Sequence, residues 1–147
     1  MFIKDYLKHH KLVTDGAFGT YYAEKYQTQE MPETANIQYP ERVLEIHRSY
    51  IESGAKLIRT NTFASNTLLL HSNLQVVKEN IRSAVKLAKQ AVLESKKEVF
   101  IAGDIGPIPD FKYTDEQYYE IAKTFLEEDI HILTFETFAD LEHILPT

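Results

Sequence analysis

The chain reads as an α/β protein of the parallel (β/α) barrel type, and three observations predict this. Four short apolar runs recur roughly 30 to 45 residues apart with helical patterns between them, about the length of a strand-helix-strand repeat. The runs are continuously apolar more than alternating, as strands covered on both faces are. A polar residue stands at the end of each: Asp15, Asn61, Asp104 and Glu136, and barrel enzymes gather their chemistry at the carboxyl ends of different strands. A doubly wound sheet shares the alternation. It would usually carry a Gly-rich fingerprint that opens a helix directly after the first strand, and Gly16 to Gly19 has neither that spacing nor an expected immediate helix.

In chain order, Ile3, Tyr6, Leu7 and His10 fall at helical spacing and predict a short lead-in helix within Phe2 to His10. Leu12-Val13-Thr14 is the first strand, delivering Asp15 into a tight loop that Gly16 and Gly19 permit, with backbone N–H groups free for an anionic group. Tyr21 to Tyr39, polar, aromatic and holding Pro32, reads as a long irregular excursion. Pro40 then opens a helix and Gly54 closes it, with Val43, Ile46, His47, Tyr50 and Ile51 on one face. Lys56 to Phe63 is the second strand, with Thr60-Asn61-Thr62 at its end.

Asn73 is the expected N-cap of a helix running to about Lys96, with Val77, Ile81, Ala84, Val85, Ala88, Ala91 and Val92 on its stripe. Glu98 to Ala102 is the third strand, giving out into Gly103-Asp104-Ile105-Gly106-Pro107, a loop rich in Gly and Pro. Thr114 to Gln117 has capping-box spacing and starts a helix whose face is Tyr118, Ile121, Ala122, Phe125 and Leu126. His131 to Phe135 is the fourth strand, followed by Glu136. A further helix is expected from Asp140 to Thr147.

The 147 residues suffice for one sizeable core, and 44% apolar with 26% charged residues is an ordinary globular balance. Acidic residues outnumber basic ones, 22 to 16, for a net charge of -6, which argues against nucleic acid or anionic lipid as a partner. A small neutral or zwitterionic ligand fits better. Zero cysteines exclude disulfides and thiolate metal ligands in this chain. No run approaches a membrane span and no leader-like segment opens the chain, so the expected location is cytoplasmic. His47 reads as a buried, hydrogen-bonded structural histidine, and the remaining histidines lack ligand spacing.

Five segments, taken together, carry a family resemblance: Asp15-Gly16-Ala17-Phe18-Gly19-Thr20, Ile46 to Ala55, Thr60-Asn61-Thr62-Phe63, Gly103-Asp104-Ile105-Gly106-Pro107 and Phe135-Glu136-Thr137. In order and spacing they resemble the homocysteine S-methyltransferase family. The Gly103 to Pro109 form is most similar to bacterial bifunctional proteins that join this activity to methylenetetrahydrofolate reductase. The resemblance implies an eight-unit barrel in which three cysteines of later strands hold a zinc ion that binds the homocysteine sulfur. Residues 1–147 would then be the amino-terminal part of that barrel, a half barrel of four βα units with no second domain, inactive alone and without metal ligands or catalytic residues.

The resemblance further implies that Asp15, Gly16 and Ala17 hold the amino acid part of homocysteine through loop N–H groups and that Glu136 pairs with its ammonium. Asn61 and Asp104 would line the same pocket. The implied methyl donor is a methylfolate, S-methylmethionine or S-adenosylmethionine, and FAD is implied only where a reductase domain follows. A half barrel would expose sheet edges and self-associate. Two other readings remain: a complete flavodoxin-like binding module, and a barrel hydrolase or lyase using Asp15 and Glu136 as acid and base.

Overall fold

The computed structural model describes residues 2–109, 114–140, 142 and 144. Helix α1 (Ile3–Leu7) is the lead-in. The expected excursion is instead mostly helical, with α2 (Gly19–Tyr26), a 3-10 turn (Pro32–Thr34) and α3 (Ala35–Gln38). Tertiary burial overrides the weak local pattern there: Tyr22, Ala35 and Asn36 are buried. Because α2 begins at Gly19, a helix does follow the first loop directly, contrary to the sequence expectation.

Helix α4 (Pro40–Glu52) begins at its proline, and Gly54 takes φ +103, the left-handed conformation that ends helices. It buries Val43, Ile46, His47 and Ile51 as expected, together with Leu44, while Tyr50 is half-buried. Helix α5 (Leu74–Ser95) starts as predicted, the Asn73 side chain accepting from Val76 N. Helix α6 (Thr114–Glu127) begins at Thr114. The Gln117 amide, expected to close a capping box, accepts from Thr67 N at 2.8 Å and donates to Thr67 Oγ1 at 3.0 Å. Leu126, expected on the buried face, is exposed.

Three parallel strands form the sheet: β1 (Leu57–Arg59), β2 (Phe100–Ile105) and β3 (Leu133–Phe135), in spatial order β1-β2-β3. Register pairs Ile58 with Ile101 and Asp104 with Thr134. Four strands are therefore not observed among the described residues. The first run contributes one parallel bridge, Thr14 to Leu57, on the free side of β1. Its exposed position explains the shortness, since Val13 keeps 57% of its surface in solvent and gains little by pairing further. Strand order excludes the flavodoxin-like alternative, which places its first strand between its second and third; here the second apolar run lies between its neighbours.

Strand β2 runs further than predicted, carrying Gly103 and Asp104 inside the strand. Gly103 is there for space: a Cβ would meet the Phe125 ring at 2.7 Å. The expected helix from Asp140 falls mostly outside the described residues.

Helices pack on the sheet around two apolar groups. One joins Tyr22, Val43, Leu44, Ile46, Ile51, Ile58 and Leu87; the other joins Val77, Ile81, Val85, Ile105, Tyr118, Ile121 and Phe125. Helix α5 serves both, which makes it the beam of the layer. His47 is fully buried beside Phe18, with ring centroids 5.3 Å apart. Neither of its ring nitrogens has a partner among the described residues, so it is buried but not hydrogen-bonded as expected. Burial holds its pKa down at about 4.

A buried polar network joins α3, α5 and the segment after β1. Asn36 Nδ2 donates to Asn61 O and Asn80 Oδ1, Ser65 Oγ donates to Asn80 Oδ1, and Asn80 Nδ2 donates to Glu33 O at 2.8 Å. Truncating one buried member strands its partners. Asn80→Ala is expected to cost about 2 to 3 kcal/mol by denaturant unfolding; a loss under about 0.5 kcal/mol, the size of a surface change, would mean the network does not hold these segments.

Candidate active site

The carboxyl ends of the parallel strands open on one cleft of about 370 Å³, within the range of small-molecule sites. Asp15, Gly16, Ala17, Asn61, Asp104 and Glu136, the six residues singled out in the sequence, all line it, as do Glu33 and Arg59. Thr14 bridges β1 and Asp15 N donates to Leu57 O at 2.9 Å, so the loop springs from the strand end. Glu136 follows β3 directly, its N–H donating to Ile105 O at 3.0 Å.

Arg59, the last residue of β1, ties these ends together. Its Nε donates to Asp15 Oδ1 at 2.8 Å, its backbone N–H to Asp15 Oδ2 at 2.8 Å and its Nη2 to Gly16 O at 2.9 Å. Its Nη1 meets Glu136 Oε2 at 2.7 Å. Sequence reasoning passed over this residue. The signal was present: Arg59 is a charge directly after the apolar pair Leu57-Ile58 of the strand, and a charge held there must find a partner.

The loop is held from behind. Tyr50 Oη donates to Ala17 O at 2.7 Å, and a Cβ on Gly16 would stand 2.9 Å from that same oxygen. Gly16 thus packs closely on the Tyr50 side chain without a left-handed backbone, and Gly19 meets nothing nearer than 3.6 Å. Neither Gly16 nor Ala17 gives its backbone N–H to an acceptor among the described residues.

Asp104 is gripped through its backbone, its N–H donating to Thr60 Oγ1 and its carbonyl accepting from Thr62 Oγ1 at 2.7 Å. Burial, then the charge and hydrogen bonding of Glu136, push its carboxyl up to about 8. Its Oδ1 is buried with no hydrogen-bond partner among the described residues. Burial also raises Asp15, and the backbone and guanidinium of Arg59 draw it only partly back. Glu33, also missed in the sequence, is buried; it accepts from Ala64 N at 2.9 Å and is raised by burial. The Asn61 side-chain amide donates to Pro32 O and Asn36 Oδ1, so its N–H groups serve the wall of the cleft.

The family model described as homocysteine S-methyltransferase matches residues 12–145. The chain belongs to the homocysteine S-methyltransferase family. A betaine-homocysteine S-methyltransferase of Drosophila melanogaster is 30% identical over 92 residues, covering 54% of this chain and 28% of that protein. Two crystal structures of the homocysteine methyltransferase MmuM from Escherichia coli share the fold. The metallated form has TM-score 0.77 at 16% identity, covering 96% of this chain and 59% of that one. The apo form has TM-score 0.71 at 22% identity, covering 93% and 53%. This family member thus spans well under two thirds of the length of the relatives it matches.

A zinc ion held by cysteines finds no ligand in this chain, which has no cysteine. Among the described residues no group of three or more His, Asp or Glu is placed to hold a metal, and none of their helices is long and apolar enough to cross a membrane.

The Asp104 shift sets a pH dependence. Its pKa rises from 3.8 to about 8 on folding, so between those values the unfolded chain has released a proton that the folded chain retains. Stability from this group therefore falls as pH rises through that window and levels off above it. Asp104→Asn, which removes the titrating group at nearly the same size, should flatten that slope. Thermal melts from about pH 5 to about pH 8 are expected to show the variant's Tm advantage growing by a few degrees toward the alkaline end. A constant offset would place the Asp104 titration elsewhere.

Proposed function

We propose that this chain forms the amino-terminal half of a homocysteine S-methyltransferase barrel, its first four βα units, and carries that enzyme's amino acid pocket. The observation that supports it most is the convergence of Asp15, Arg59, Asp104 and Glu136 on one cleft in a chain whose family acts on an amino acid thiol. In this reading Glu136 receives the substrate ammonium: it is half-buried, and only its Oε2 is engaged by Arg59. The uncommitted N–H groups of Gly16 and Ala17 meet the carboxylate, as backbone donors at the start of a helix do for anions. Asp104 lines the cleft beside Glu136, and Asn61 stiffens the wall.

Zinc, whose bound thiol is deprotonated outright, and the cysteines that hold it belong in this reading to residues outside the 147. The work of the present residues is binding and orientation, which fixes the amino acid end so that the sulfur reaches toward the missing half. The methyl donor is a methylfolate, S-methylmethionine or S-adenosylmethionine, and the product is methionine. The open edges beside Thr14 and β3 are completed by the remaining strands; a chain of these residues alone pairs with itself there. The hydrolase or lyase alternative is disfavoured because both Asp15 oxygens are occupied by Arg59, so one of its two acid-base carboxylates has no free oxygen for proton transfer.

The intact protein should methylate homocysteine, lose activity on zinc chelation, and show no transfer from residues 1–147 alone. Glu136→Gln is expected to raise KM for homocysteine about 10-fold or more, the worth of one charge-assisted contact, with a smaller change in kcat. Activity that survives chelation, or a KM unmoved by this substitution, would defeat the assignment.

A further inference from the structure

We infer that Tyr50 is a positioning residue of this cleft: its hydroxyl, bonded to the Ala17 carbonyl from behind the loop, turns the next peptide so that the Phe18 N–H faces the cleft. The inference rests on the reading of the cleft as an amino acid pocket and adds to it a residue that touches no ligand. Ala17 and Phe18 line the cleft and Tyr50 does not, so a hydroxyl 2.7 Å from Ala17 O approaches the loop from its far side. The peptide bonds are trans, and in a planar trans peptide the C=O and N–H point in opposite directions. A carbonyl drawn back toward Tyr50 therefore sends the Phe18 N–H forward.

The preceding peptide is set in the same way from another side. Gly16 O accepts from Arg59 Nη2 at 2.9 Å, which points the Ala17 N–H away from that guanidinium. Neither the Ala17 nor the Phe18 N–H has an acceptor among the described residues. Two consecutive donors stay open while the carbonyls of their peptides are tied, and Tyr50 holds the second. Helix α4 backs the loop with more than this residue: His47, one turn earlier on the same face, lies against the Phe18 ring with centroids 5.3 Å apart. The Tyr50 ring stands between Tyr21, edge-on at 5.8 Å, and Gly16, where a Cβ would come within 2.9 Å of its Oη. Removing the hydroxyl alone leaves this packing in place and releases the peptide.

Two measurements on the intact protein test this, with homocysteine and with the amine left when its carboxylate is removed. Tyr50→Phe should weaken homocysteine binding in calorimetric titration by about 5- to 10-fold, the worth of one hydrogen bond, and leave the amine unchanged. Unchanged homocysteine binding would overturn the inference. Equal weakening of both probes would do so too, by marking a general slackening of the loop. In the unaltered protein, saturation with homocysteine should shift the Phe18 amide resonance, and saturation with the amine should not. A Phe18 amide indifferent to homocysteine, or moved equally by both probes, overturns the inference even if the variant fails to fold. Absence of any homocysteine binding by the unaltered protein would instead sink the amino acid pocket, and this inference with it.

Discussion

A carboxylate with almost no exposure cannot stand without a partner, and the Asp15 side chain is placed in that position. Removing such a group from water costs several kcal/mol unless opposite charge and hydrogen bonds compensate. Arg59 supplies both, from its backbone and its guanidinium, and then reaches Glu136 after β3. One side chain therefore links the first loop, β1 and the end of β3, so an ion cluster joins the sheet hydrogen bonds in holding the mouth of the cleft. The first run, reduced to one bridge at Thr14, depends most on it.

Behind the ions lies a neutral frame. Thr60 and Thr62 clasp the backbone of Asp104, and the asparagines at 36, 61 and 80 lock the segment after β1 to α3 and α5. Buried amides satisfied in this way specify one arrangement, since each alternative leaves donors stranded. Close approach does the rest. The N–H of Gly106 donates to Phe63 O at 3.0 Å, and a Cβ on Gly106 would lie 2.4 Å from that carbonyl, so the turns after β1 and β2 are pressed together where a side chain would not fit.

The two acids that meet at the cleft are unequal. Asp104 is deeper, and burial raises its carboxyl; Glu136, nearer solvent, pairs with Arg59. Environment alone separates their roles, as it does wherever neighbouring carboxyls differ in burial. Membership of the homocysteine S-methyltransferase family gives this arrangement a context.

Much was legible from residues alone. The Pro40 start and Gly54 stop of α4, the Asn73 cap and the apolar stripe of α5 are local signals, written by backbone sterics and helical periodicity. The polar residues at strand ends were equally plain, and all four line the cleft, as do Gly16 and Ala17. Arg59, Glu33 and the asparagine network were not recognised, because their partners lie from 15 to 47 positions away in the chain and no local pattern encodes such a distance. Helices α2 and α3 were read as irregular for the same reason: their burial against α4 and α5 outweighs their composition. What the sequence by itself determined is the alternation of elements, the parallel strands and the family, since these follow from short-range periodicity and motif order. Which carboxylate is enclosed, which is open and which cation stands between them was decided only by the tertiary structure, because desolvation and pairing depend on distances that exist once the chain has folded.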